Sequence, residues 1–267
     1  MIKLTQEEIK NIELDILLEF DKICKKYNLK YYIAGGTLLG AIRHKGFIPW
    51  DDDIDVCMPR TDFIKLKEVC NDENEVYELK TKLSNNLNLP FYKLVDKRTV
   101  SKLLFTNALM DNQLWIDIFP VDGLPEDIKE VEKIYKRCDF YRKILMLTDA
   151  NLGEGSTFFR KYCKFILKPL AKIYGKRRCI TQIETIAFRY PYETSKYVGA
   201  VTWGLYGVGE RMLKSEFEKS VEVEFEGYKF PTFSCWDSYL KGLYGDYMKL
   251  PAVEERKNHS MTAYYLN

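Results

Sequence analysis

Asp51, Asp52, Asp53 and Asp55 put four carboxylates within five positions, and Ile54 and Val56 interleave with the last of them. Acidic clusters on solvated faces seldom alternate with isoleucine and valine. Such alternation is the period of a β-strand, on which side chains two apart share a face. Asp51, Asp53 and Asp55 therefore point one way, and Asp52, Ile54 and Val56 the other. Three carboxylates on one face repel each other unless a cation sits among them. An Asp-x-Asp spacing suits magnesium, with manganese as the alternative, because these hard cations take oxygen ligands and share their coordination with substrate phosphates. Asp117, between Ile116 and Ile118 in "LWIDIFPVDGLP", is a further acid on an alternating stretch. It can complete the metal set or take a proton from an attacking hydroxyl.

Upstream lie Gly35, Gly36 and Thr37, then the basic run Arg43, His44 and Lys45. Glycines let a backbone approach a phosphate closely, and the amides at a helix N-terminus favour an anion. A short strand "YYIA", a glycine turn, a short helix "TLLGAI" and an acidic strand thus make a compact device for handling phosphates.

The elements that must carry these residues are legible in outline. Ile9, Ile12, Ile16, Leu17, Phe20, Ile23 and Cys24 form one helical stripe, and Thr5 with Glu8 has capping-box spacing. "DIDVCM" reads as a strand stopped by Pro59, followed by a helix from "TDFIKLKEVC". "EVYELKT", "PFYKLVD" and "LWIDIFPVDGLP" read as strands, the last ending in a proline-bounded turn. Helices follow over roughly Glu126 to Leu147 and roughly Thr157 to Tyr190, the second interrupted at Pro169 and Gly175. "YVGAVTW" and "VEVEFEGYKFPTF" return to strands, the latter a hairpin turning at Glu226-Gly227, and "SCWDSYLKGLYGDYM" reads as a helix. The expected fold is α/β (α+β), with a sheet half over 1–125 and a helical, aromatic-rich lobe over 126–267 that completes the site or continues the same domain.

Composition narrows the function. With 46% hydrophobic and 30% charged residues, the chain is ordinary globular protein, and a net charge of +2 supplies no field for nucleic acid. The acidic, amphipathic start does not read as a signal peptide, and no stretch is long enough to span a bilayer. The seven cysteines contain no Cys-x-x-Cys pair and read as reduced thiols of a cytoplasmic protein.

The glycine pair, the Asp-x-Asp and the distant Asp117 resemble the polymerase-β type of nucleotidyltransferase core. More narrowly, "GGTLLGAIRHKGFIPWDDDIDV" resembles the signature of the LicD family of phosphotransferases. "FYKLVDKRT", "WIDIFPVDGLP", "VEVEFEGYKFP" and "YLKGLYGDYMKLPAVEERKNH" look like further blocks of that family in its order, so the resemblance covers nearly the whole chain. It implies transfer of phosphocholine from CDP-choline to a sugar hydroxyl of a bacterial surface glycopolymer precursor, of teichoic acid or lipopolysaccharide type, with release of CMP. Relatives that move ribitol phosphate keep the acidic motif, so CDP-linked ribitol or glycerol is the alternative donor. A nucleic-acid-modifying nucleotidyltransferase is a more distant one.

By this resemblance Asp53 and Asp55, with Asp51 beside them, are magnesium ligands, and Asp117 is a ligand or the base. Gly35, Gly36 and Thr37 cradle the donor. Arg43 and Lys45 either contact the diphosphate or are surface charges. Lys93 reaches phosphate or cytidine, and Arg256 and His259 either fold back on the site or belong to a loose tail. Trp203, Tyr206, Trp236, Tyr239, Tyr244 and Tyr247 supply aromatic faces of the kind that hold a quaternary ammonium. The acceptor implied is a lipid-linked sugar. Between Glu154 and Glu184 there are eight lysines and arginines and no acid, interleaved with Phe158, Phe159, Tyr162, Phe165, Ile166, Leu170 and Ile173. That pattern points to contact with an anionic membrane, at the inner face of the cytoplasmic membrane, by two short helices divided at Pro169.

Overall fold

Thr5 caps the first long helix as its spacing requires: its Oγ1 accepts the Glu8 N–H, and the Glu8 carboxylate accepts the Thr5 N–H at 2.7 Å. In a computed structural model, residues 1–70, 74–81, 88–103, 113–150, 158–252, 254, 256 and 261–266 are described, without the side chains of 102–103 and 158–164. In chain order the first half runs β1 (Ile2–Lys3), α1 (Gln6–Lys26), β2 (Tyr32–Ile33), α2 (Gly35–His44), β3 (Asp55–Pro59), α3 (Arg60–Val69), β4 (Tyr77–Lys80), β5 (Tyr92–Asp96), β6 (Thr99–Leu103) and β7 (Leu114–Leu124). The second half runs α4 (Ile128–Asp149), α5 (Phe158–Tyr174), α6 (Lys176–Ala187), β8 (Tyr197–Gly199), a 3-10 turn at Gly207–Glu210, β9 (Met212–Leu213) and α7 (Lys214–Phe217). It closes with β10 (Ser220–Phe225), β11 (Tyr228–Phe233), α8 (Trp236–Tyr244) and β12 (Met261–Tyr265).

The main sheet has the order β2-β3-β7-β5-β4, and β8 and β9 continue it from the far end of β7. Only β3 and β7 pair in parallel; the other neighbours in this sheet are antiparallel. β12 lies between β1 and β6 in a small separate sheet, a pairing of chain ends that no local pattern announced. The mixed α/β architecture is the one expected. A single large core draws Ile9 to Phe20 of α1, the sheet strands, the β10–β11 hairpin and α8 together, while α4 and α6 enclose a second cluster around Val131, Ile183 and Val201.

Several boundaries differ from those read in the sequence. β3 begins at Asp55, so Asp51–Ile54 are extended chain outside a ladder; their alternation nevertheless survives, with Asp52 and Ile54 buried and Asp51, Asp53 and Asp55 half-exposed. Gly35 and Gly36 open α2 instead of preceding it, and Gly35 makes the entry turn at φ +53°. β7 runs through Pro120 to Leu124. Its ladder with β5 ends at Ile118 and that with β8 starts at Asp122, so the missing proline N–H falls between them. α5 likewise runs through Pro169 as one helix. Pro169 is exposed, where water can satisfy the carbonyl its ring frees, and the break comes at Gly175 with φ +89°. The hairpin turns where expected, with Glu226 and Gly227 both at positive φ. No helix of the described residues is long and apolar enough to cross a membrane.

Candidate active site

Two backbone contacts fix the acidic strand against the glycine turn. The Asp55 N–H donates to Thr37 Oγ1 at 2.8 Å, and the Ala34 N–H donates to the Asp55 carbonyl. Thr37 is buried, so its hydroxyl serves the protein backbone. A Cβ added at Gly35 would stand 2.8 Å from Asp55 Oδ2, and one added at Gly36 2.8 Å from Asp51 Oδ2. Only glycine lets these two carboxylates lie against the start of α2, and the positive φ at Gly35 adds a conformational reason.

The parallel register of β3 and β7 sets Asp55 beside Asp117, and the antiparallel register of β7 and β5 sets Asp117 beside Lys93. Lys93 Nζ lies 3.1 Å from Asp117 Oδ1 and 3.8 Å from the centroid of the Trp115 ring. The ammonium is placed as an ion-pair partner only: Asp117 Oδ1 is buried and accepts no hydrogen bond. Burial, reinforced by Asp53, Asp117 and Asp51, pushes the Asp55 carboxyl well above the usual carboxylate range, with Lys93 opposing. Beneath them Glu13 of α1 is fully buried, and burial together with Asp53, Asp52 and Asp51 raises its carboxyl too.

Asp51, Asp53 and Asp55 line a 280 Å³ pocket with Gly35, Gly36, Phe119, Trp203, Tyr206, Tyr239, Tyr244 and Glu210. Its walls are therefore carboxylates and aromatic rings, a lining suited to a cation. The Gly35 N–H donates to the Tyr239 hydroxyl at 3.4 Å, tying α8 to the glycine turn. Glu210 is nearly inaccessible; its Oε1 accepts the Tyr206 N–H at 3.0 Å, and burial pushes its carboxyl up to about 7. Tyr206 and Tyr244 meet edge to face with ring centroids 5.2 Å apart.

Those two rings also border a larger pocket of 800 Å³, which shares Gly36 and Asp51 with the first and adds Arg43, Trp50, Tyr247 and Lys249. Arg43 Nη1 donates to the Tyr247 carbonyl at 2.9 Å. The Arg43 and Arg256 guanidinium carbons lie 5.9 and 4.5 Å from the Trp50 ring centroid, so Arg256 does fold back on the site. Burial and Arg256 lower the proton affinity of Arg43. The first half of the cleft is thus acidic and aromatic; the second sets Arg43, Lys249 and the nearby Arg256 against Asp246 among aromatic rings, with Asp51 at the junction.

Most of the residues expected at the site converge here. Lys45 does not: it is exposed, closes α2 in the left-handed conformation at φ +62°, and lines neither pocket. Trp236 lines neither pocket; Thr37, Asp117 and Lys93 do not line them either and reach the site only through Asp55, by hydrogen bond and strand register; Tyr247 lines the second half, and His259 lies outside the described residues. Glu210 and Phe119 join the site without a sequence signal. Glu210 follows a glycine-rich run and reads as an exposed loop acid until tertiary packing buries it.

Among the described residues no three metal-ligating side chains close a ready-made cage. The donor types still fit a hard divalent cation: Asp51, Asp53 and Asp55 line one pocket, and Asp117, in register with Asp55, keeps a buried oxygen that accepts no hydrogen bond and has only the Lys93 ammonium beside it. An open arrangement of this kind suits an ion that completes its coordination with substrate phosphate.

Residues 28–153 match the family model described as the LicD/FKTN/FKRP nucleotidyltransferase domain. Over the full length of both proteins, the chain is 32% identical in 279 aligned positions to the lipopolysaccharide cholinephosphotransferase LicD of Haemophilus influenzae. An uncharacterized protein of Rickettsia prowazekii is 26% identical over 198 residues, which is 63% of this chain and 73% of that one. Glycine turn, paired aspartates and matched Asp117 thus sit in a chain whose full-length similarity is of the same kind as its motif: it belongs to the LicD family.

Proposed function

We propose that the protein transfers phosphocholine from CDP-choline to a sugar hydroxyl of a lipid-linked surface glycopolymer precursor, with magnesium or manganese as its metal. The observation that carries this reading is the division of one cleft at Asp51 into an acidic, aromatic half and an arginine-bearing, aromatic half. Trp203, Tyr206, Tyr239 and Tyr244 offer ring faces to a quaternary ammonium, and the neighbouring carboxylates favour its charge. Arg43 and Arg256, both close to the Trp50 ring, suit the phosphate and base of the cytidine nucleotide. The full-length similarity to a lipopolysaccharide cholinephosphotransferase favours the same transferred group and an acceptor of lipopolysaccharide type; a lipid-linked acceptor would be met at the inner face of the cytoplasmic membrane.

In the reaction, the acceptor oxygen attacks the phosphorus that bears choline and forms the new P–O bond. The bond from that phosphorus to the oxygen of CMP breaks, and CMP leaves with the electron pair. Asp51, Asp53 and Asp55 are the residues that would hold the divalent cation, which when bound neutralises charge on the diphosphate. Asp117, kept in place by Lys93, accepts the proton of the acceptor hydroxyl. At the start of α2, Gly35 and Gly36 leave room for the Asp55 and Asp51 carboxylates, and a cation held by these would bring the donor phosphates to this turn.

The test is incubation with magnesium, a sugar acceptor and, in turn, CDP-choline, CDP-ethanolamine, CDP-ribitol and CDP-glycerol, with CMP release and labelled acceptor both measured. CDP-choline is expected to exceed the others. Equal turnover of choline and ethanolamine donors, or a preference for CDP-ribitol, contradicts the reading.

A further inference from the structure

α5 carries its apolar stripe on the wrong side for a core helix. Ile166, Leu170 and Ile173 follow one another at four- and three-residue spacing and so share a face. They are 71%, 57% and 77% exposed, while Ala171 on the opposite side is buried. Leu167 beside them is also exposed. A surface helix ordinarily turns such a stripe inward, and contiguous exposed apolar faces mark contact with another phase or molecule.

Charge identifies what covers it. Lys172 is exposed beside the stripe on α5, and Arg177 and Arg178 are exposed just past its end on α6. Two other lysines are already occupied: Lys168 donates to the Ala150 carbonyl, and Lys176 pairs with Asp149 at 2.7 Å. No acidic residue falls between Glu154 and Glu184 to offset the remaining cations. A second copy meeting this face by two-fold symmetry would set like charges together. An anionic lipid surface receives both features at once, taking the apolar stripe among its acyl chains and the cations among its phosphates.

We propose that the exposed face of α5, with Lys172, Arg177 and Arg178, docks the protein on an anionic bilayer as an interfacial helix. The element is one helix that includes Pro169, not two short ones.

Vesicles of phosphatidylethanolamine, with and without phosphatidylglycerol, test this by co-sedimentation of the full chain; leaving out phosphatidylcholine keeps choline headgroups away from the cleft. Binding is expected only with phosphatidylglycerol and is expected to weaken with added salt. A variant carrying Ile166→Ser, Leu170→Ser and Ile173→Ser should partition about tenfold less or weaker still. A separate variant carrying Lys172→Glu, Arg177→Glu and Arg178→Glu should lose the salt-sensitive component. All six side chains are exposed, so both variants should keep the melting temperature of the parent. No binding to anionic vesicles at low salt overturns the proposal, as does parental binding by both variants. So does a parent that is dimeric in solution and made monomeric by the serine variant without any vesicle binding. The assay needs no donor or acceptor, so its outcome is independent of the transferase reading.

Discussion

Asp55 of β3 and Asp117 of β7 occupy matched positions on the one parallel strand pair of the main sheet. Both face the same side, Lys93 follows in the next strand, and the burial that surrounds Asp55 holds its proton tightly when no cation is present. Asp55→Asn replaces a carboxyl whose ionised form the apo fold disfavours with a group that is neutral at every pH. Without divalent cations, this variant should be as stable as the parent or more so, by about 1 kcal/mol, which is roughly 2–4 °C for a chain of this size. Calorimetry in a chelator reads this. A clear loss of stability would show that Asp55 is held by contacts other than those described.

Thr37 holds Asp55 by its backbone. Thr37→Val leaves the Asp55 N–H without its acceptor, at a cost of roughly 1–3 kcal/mol. Turnover should fall further than that loss of stability explains, with kcat affected more than KM, because Asp55 is repositioned while the two pockets persist. Thr37→Ser should restore both quantities. Failure of serine to rescue would point to the methyl group, not the hydroxyl.

Five residues beyond Asp117, Asp122 forms a buried bidentate pair with Arg60 at the start of α3, at 2.6 and 2.8 Å. Arg60 also lies 4.7 Å from the Phe188 ring, so the pair joins the sheet to the end of α6. Arg60→Leu or Asp122→Leu alone should cost roughly 3–5 kcal/mol, since each strands a buried charge. The double variant should recover most of that loss. Denaturant unfolding of the four proteins checks it, and additive losses would contradict it.

Stability should depend on pH in an unusual direction. Glu210 is raised by burial from 4.5 to about 7, and Glu13 and Asp55 are raised as well. A raised carboxyl means that the folded state retains a proton the unfolded chain has already released. Stability from such groups is therefore lost as pH climbs from the unfolded value towards the folded one. For Glu210 that window is pH 4.5 to about 7. The melting temperature in a chelator should fall across this range, and Glu210→Gln should flatten the fall. A parent whose melting temperature rises steadily to neutral pH would contradict the burial of these acids.

The alternation after Asp51 was legible because the pleat imposes its period even on extended chain outside a ladder, so the faces of Asp51 to Val56 came out correctly where the strand start did not. The Glu226-Gly227 turn was legible for a similar reason, since its conformation depends on residues local to it. Pro120 and Pro169 misled because a proline ends an element only where its missing N–H or its ring has a cost. In β7 the gap left by the missing N–H falls between two ladders, and in α5 the ring sits on the exposed side of the helix. The Asp117–Lys93 pairing, the β1-β12-β6 sheet and the entry of Glu210 into the cleft depend on contacts between distant segments, which no local pattern encodes.

A divalent cation held by the carboxylates beside the glycine turn would make phosphocholine transfer depend on both the ion and these side chains. The most direct test of this dependence is CMP release from CDP-choline in the presence of a sugar acceptor, measured for the parent, Asp53→Asn, Asp55→Asn and Asp117→Asn, each with magnesium and with a chelator. Turnover is expected from the parent with magnesium only, with a loss of about 10³-fold or more in each folded variant. Undiminished release in the chelator, or near-parental release by Asp55→Asn, would contradict it.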